Sequence, residues 1–209
     1  MDEADFVERV RESNETALQR LGSEKALVAT TKASLDRETV LEQAAAAEAR
    51  AAATFEAWAD EESNDTARTA FADAAEQEWE HYDAVCELGA LEITDPPADA
   101  LHRHLRGLDG TVERVAAGLV GRPLVASRSL LQVINFFVNE AETTAADAFR
   151  DLRSETDEQV ETGSEVLASV CESDDWDRAA RAAGDAVDAA YTEYAETLDE
   201  MGVDPKPVC

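Results

Sequence analysis

Between residues 67 and 88, the positions Ala67, Phe71, Ala74, Glu78, His81, Val85 and Leu88 advance by alternating steps of four and three. Only an α-helix brings such positions onto one stripe, so the segment reads as an amphipathic helix whose buried face carries a carboxylate and an imidazole. A second seam precedes it at Leu41, Ala44, Glu48, Ala51, Phe55 and Trp58, behind the capping residue Asp36. "DEESND", residues 60 to 65, is the turn between them.

The rest of the chain has the same character. One helix is expected from Ala4 to Leu21, and another restarts at the cap Ser23. "ITDPPADA" breaks the pattern because paired prolines cannot continue a helix. Leu101, Leu105, Leu108, Val112, Val115 and Leu119 mark a connecting helix that ends at "VGRP". A third long helix is expected from about Pro123, with Val138, Glu142, Ala145, Phe149 and Leu152 in its seam. A helix with Val160, Val166, Leu167 and Val170 follows. The last opens at "ESDDW", with Ala180, Gly184, Val187, Tyr191, Tyr194, Leu198 and Met201 facing inward. Strand signals are absent, and the fold class is all-α. A single domain is expected, with residues 1–35 as a helical extension and 36–209 as the main body.

The 209 residues include 47 acidic and 18 basic ones, a formal charge of -29. Such an excess suits a salt-rich cytoplasm, where the Debye length falls to about 3 Å and self-repulsion is screened. It counts against nucleic acid as a partner, since "HRHLR", residues 102 to 106, is the longest basic concentration. Cys86, Cys171 and Cys209 form no C-x-x-C pair, which indicates neither a disulfide framework nor a zinc ribbon and fits a reducing cytosol. The acidic opening "MDEADFVERV" and the lack of any apolar run of about eighteen residues predict neither a signal peptide nor a membrane partner. The expected location is cytoplasmic. No G-x-G-x-x-G, Walker or G-x-S-x-G pattern is present.

A weak repeat underlies the seams. An offset of 94 carries Glu48 to Glu142 and Phe55 to Phe149, and an offset of 113 carries Glu78 to Tyr191 and His81 to Tyr194. The chain thus reads as two helical hairpins joined by a crossover. Glu48 lies fifteen residues before residue 63 and Glu78 fifteen after it, so antiparallel neighbours hold both carboxylates at one height, with His81 a turn further on. Glu142 is expected at the same level from the third long helix. Carboxylates in an apolar seam each lose hydration worth several kcal/mol unless protons or a cation neutralise them. One reading is a metal site of Glu48, Glu78, His81 and Glu142, whose oxygen and imidazole donors suit iron or manganese. The other is a relic in which the carboxylates bond to His81, Tyr191 and Tyr194.

"EARAAATFEAWA" from Glu48 and "ARTAFADAAEQEWEHYD" around Glu78 and His81 resemble the rubrerythrin and ferritin-like family, closely over residues 36 to 90 and loosely over 123 to 202. The resemblance implies a ferritin-like four-helix bundle with extra N-terminal and crossover helices. In such families a Glu from each of two helices and an E-x-x-H from each of two others hold two irons. The second E-x-x-H falls here on Tyr191 and Tyr194, and no histidine follows His104, so the resemblance implies no complete di-iron centre. It leaves one iron or manganese ion on Glu48, Glu78 and His81, with Glu142 as fourth ligand or base and Tyr191 and Tyr194 beside them. The cysteine pairs of a rubredoxin-like domain are missing, so redox chemistry would need an external electron donor. A homodimer is a further implied partner.

Two functions follow as expectations. The first is a rubrerythrin-related protein with a reduced carboxylate/histidine site, binding iron or manganese for peroxide, oxygen or iron handling. The second is a non-catalytic helical module acting through protein–protein contacts. The two ends of the chain, "GVDPKPVC" above all, also resemble haloarchaeal proteins named transcription antitermination protein, a regulatory version of that second function. Among the remaining residues, His102 and His104 lie two apart on a helix and are expected on the solvated surface, and Cys86 is expected to be a small buried apolar group.

Overall fold

The computed structural model describes residues 3–206, and these are helical with no strand among them. Ten α-helices occur in the order α1 Glu3–Ser13, α2 Glu15–Leu21, α3 Glu24–Thr30, α4 Arg37–Glu61, α5 Asp65–Gly89, α6 Ala100–Arg106, α7 Thr111–Ala116, α8 Arg122–Asn139, α9 Thr143–Val170 and α10 Trp176–Glu200. A π-helical segment, Ala117–Gly121, joins α7 to α8. Cys209 and the two residues before it lie outside the described residues. No helix among the described residues is long and apolar enough to cross a membrane.

Local chemistry fixes the two longest expected helices. The Asp36 carboxylate accepts from the Thr39 N–H and starts α4 as the sequence predicts. The Asn64 side chain accepts from the Ala67 N–H and starts α5 two residues after Glu62, which caps the end of α4. Alanines at 44, 45, 51, 52, 67, 74 and 75 are buried, so the two backbones pack closely over their whole length. The single expected helix from Ala4 to Leu21 is two helices, broken at Asn14.

The third long helix departs from the sequence reading. It stops at Asn139, and Ala141 adopts the left-handed conformation (φ 59°) while Glu142 N–H bonds back to the Phe137 carbonyl. The chain reverses there, and residues 143 to 170 form one helix that packs along α8. The second hairpin is therefore α8/α9. Its partner is the α4/α5 hairpin, with α6, α7 and the π segment crossing between them. α10 lies outside this arrangement, against α6, α7, the π segment and the N-terminal helices.

Two apolar clusters fill the interior. One holds Phe55, Trp58 and Phe71 with Phe6, Val10, Leu18 and Leu21 of the first two helices and Val187 and Leu198 of α10. The other holds Leu41, Val85, Phe137 and Phe149, the last two rings stacked 5.5 Å apart. Between them α4, α5 and α9 each turn polar side chains inward: Glu48, Glu78, His81, Thr156 and Gln159, all buried. A polar layer thus sits between the two apolar clusters, where its groups must satisfy one another.

Candidate metal centre

Glu48 comes from the middle of α4, and Glu78 and His81 come from the facing side of α5. One ligand atom from each lies within 4.8 Å of the other two, and all three residues are buried. Among the described residues this is the one group of acidic, imidazole or thiol side chains gathered closely enough to share an ion. The three/four spacing of the two seams and their symmetric distance from the turn produce the convergence.

Arg122, the first residue of α8, reaches into the same layer. Its Nη2 donates to Glu78 Oε1 and its Nη1 lies 3.4 Å from Oε2, with both side chains almost wholly buried. Gln159 of α9 donates to the same Oε1 at 3.1 Å and accepts from Arg122 Nη2 at 3.2 Å. The guanidinium also stands 5.5 Å above the Phe55 ring. His81 Nε2 meets Glu155 of α9 at 2.7 Å. That carboxylate is half exposed, so it ties the buried ring to the surface.

The two buried carboxyl groups titrate in opposite directions. Burial pushes Glu48 well above the usual carboxylate range, and the neighbouring Glu78 charge adds to this. Burial also works against ionised Glu78, but the Arg122 charge and the hydrogen bonds from Glu48 and Gln159 outweigh it and hold Glu78 below the usual range.

Three features fit a single cation. Two carboxyl groups and an imidazole converge in a dry place. With Nε2 donating to Glu155, a neutral His81 ring keeps its lone pair on Nδ1, and this buried atom has no hydrogen-bond partner. A carboxylate behind the imidazole is the arrangement that orients a ligating histidine. On its other side Glu78 already receives Arg122 and Gln159.

The structure does not bring the other expected site residues here. Glu142 precedes the first residue of α9, where its carboxylate pairs with Arg37 at 2.9 Å. Arg37 lies eleven residues before Glu48 on α4, roughly 16 Å along the helix axis. The reversal at Ala141 is the reason: it turns what the sequence suggested was mid-helix into a helix end. Tyr191 and Tyr194 are on α10, which does not face α5. The Tyr191 hydroxyl accepts from Arg20, and the Tyr194 hydroxyl lies 3.3 Å from Ser23 Oγ and donates to the Pro205 carbonyl.

Sequence reasoning missed Arg122, Glu155 and Gln159. The signal was present in the α9 seam, where Ala145, Phe149, Leu152, Thr156, Gln159, Gly163 and Leu167 are buried at steps of four and three straight through the polar members. His102 is a further correction. It is buried, and Asp99 caps α6 through its backbone N–H while bonding its Nδ1, each at 2.8 Å. Cys86 is buried as expected. No protein-family model, curated protein or solved structure matches this chain.

Proposed function

We propose that this chain is a ferritin-like four-helix bundle, formed by α4, α5, α8 and α9, that holds one divalent cation, iron or manganese, for peroxide, oxygen or iron handling. The observation that carries the reading is the buried convergence of Glu48, Glu78 and His81 within ligand reach of one another. Two hairpins joined by crossing helices, with carboxylates at mid-height, support the fold assignment.

Glu78 and, on releasing its proton to solvent as the ion binds, Glu48 would be the anionic ligands and His81 the neutral one. A bound iron or manganese ion would supply redox chemistry. Glu155 fixes the tautomer and aim of His81. Gln159 orients the Glu78 carboxylate. The apolar clusters above and below exclude water from the layer. The groove between α5 and α9, lined by Asp73, Gln77, Glu155, Glu158 and Gln159, reaches this layer and carries the negative charge that would draw a cation inward.

The second reading, a non-catalytic bundle acting through protein contacts, is favoured by one observation: Arg122 already neutralises Glu78. Metal analysis separates the two. Protein purified in high salt, loaded anaerobically with Fe(II) or Mn(II) and dialysed, is expected to retain about one ion per chain, lost in a Glu78→Ala, His81→Ala double variant. Wild-type protein that retains none, or a double variant that retains as much, overturns the metal reading.

A further inference from the structure

We infer that Arg122 is the site's own competing cation: its guanidinium and a divalent metal ion are alternative partners of Glu78, and the metal binds as Arg122 is drawn away. This rests on the metal reading above and specifies how that site would be regulated.

The argument begins with lone pairs. Glu78 Oε1 receives donors from both Arg122 and Gln159, and a carboxylate oxygen has two lone-pair sites to offer. For Oε1 to ligate a metal, one donor must yield. Oε2 lies 3.4 Å from Arg122 Nη1, so a metal on that oxygen would stand against the same positive group. In a dry interior a dication and a guanidinium on one carboxylate repel strongly, and each lowers the other's affinity.

Arg122 is held in a way that permits exchange. Its Nε–H is buried without an acceptor, so the guanidinium satisfies Glu78 while leaving its own donors incompletely paired. The arginine also sits at a junction. The preceding five residues are π-helical, and the Arg122 N–H reaches back to the Ala117 carbonyl. The extra residue in that turn sets the direction in which the side chain leaves α8. A built-in counter-ion makes metal binding weaker and readily reversible, and it keeps the metal-free protein folded with its buried carboxylate paired. Arg122 is thus a positioning residue whose role is selectivity and exchange.

Equilibrium dialysis with Mn²⁺ and Zn²⁺ tests this on wild type, Arg122→Met and Arg122→Lys. The methionine removes the charge at similar length and the lysine keeps it. Arg122→Met is expected to bind roughly tenfold tighter or more, and Arg122→Lys close to wild type. The Arg122 Nε–H resonance of the wild-type protein gives an independent readout that needs no folded variant. It is expected to move on saturation with diamagnetic Zn²⁺, as the guanidinium changes partners. Equal affinities in wild type and Arg122→Met, with a resonance indifferent to Zn²⁺, overturn the inference and leave the metal reading standing. Binding by Arg122→Met alone sustains the inference and overturns metal binding by the natural chain. No binding by any of the three overturns both.

Discussion

Glu48 and Glu78 bring carboxyl oxygens within 4.8 Å of each other across the α4/α5 interface, and the two groups are pushed in opposite directions although both are buried. Of the two carboxyl groups only Glu78 bonds directly to Arg122, and this asymmetry gives the pair its opposite directions. The same chemical change at the two positions should therefore have unlike effects.

Glu48→Gln replaces the carboxyl by a neutral group of the same shape and removes the cost of burying an ionisable one, so it is expected to be at least as stable as wild type at neutral pH. Glu78→Gln leaves the Arg122 guanidinium buried and unpaired, at an expected loss of about 3 kcal/mol or more. Glu48 carries a pKa raised in the folded state, so its contribution is present below the ordinary carboxylate range and lost as pH rises through the raised value. Glu48→Gln should flatten that decline. Denaturant midpoints across pH check both points, and equal losses from the two substitutions would refute the charge assignment.

The helices that carry the first half of the site were legible because their seams keep strict spacing and their caps, Asp36 and Asn64, are good ones. The second half was not. The turn at 140–142 contains neither glycine nor proline, and Ala141 takes up the left-handed conformation without any residue that favours it. Phe149, which the repeat aligned with Phe55, does enter the core, so the false register looked self-consistent. Thr156 and Gln159 then hid the continuation of the α9 seam, because polar residues on a buried face read as surface when their partners are unknown. Arg122 could not be matched to Glu78 without knowing that the crossover ends beside it.

Ala141 supplies a prediction of its own. An L-residue in the left-handed region is strained by about 1 kcal/mol, and the Glu142 N–H to Phe137 carbonyl bond holds it there. Ala141→Gly should raise stability by about that amount, and Ala90→Gly, at the left-handed end of α5, should do the same. Thermal melts of the two single variants and the double variant are the check. The residues are on separate turns, so their gains should add. A loss at either position would mean that the turn is not left-handed in solution.

Acid should attack the protein at α6 before it reaches the buried layer. The His102 side chain, its backbone N–H and Arg50 surround Asp99 and, against the opposing effect of burial, hold its pKa at about 2. Burial lowers the His102 pKa below the usual histidine value despite the Asp99 contact. Both folded-state values are depressed, so both groups stabilise at neutral pH. The His102 part is lost as pH falls below about 6.5, and the Asp99 part, about 2 kcal/mol, between roughly pH 4 and 2. Asp99→Asn keeps a capping side chain, so it should preserve the helix while removing the low-pH loss. Unfolding free energies from pH 7 to pH 3 that fall equally in wild type and Asp99→Asn would exclude this pair as the cause.

The π segment beside Arg122 depends on a close backbone approach, and two glycines separate that requirement from simple helix propensity. A Cβ at Gly163 of α9 would stand 2.3 Å from the Leu119 carbonyl oxygen, so α9 or the π segment would have to move. A Cβ at Gly184 of α10 would meet nothing nearer than the Asn14 side chain at 3.5 Å, an ordinary contact. Alanine gains about 1 kcal/mol over glycine within a helix, so Gly184→Ala should stabilise by up to that amount. In Gly163→Ala the same gain opposes an overpacking cost of about 1–3 kcal/mol with backbone displacement added, and net destabilisation is expected. The shift should also disturb Arg122, which follows the π segment directly, so Gly163→Ala is expected to change metal affinity where Gly184→Ala does not. Chemical denaturation and dialysis on the two variants measure these effects. Stabilisation by Gly163→Ala with unchanged affinity would show that α9 does not approach Leu119 as closely as described.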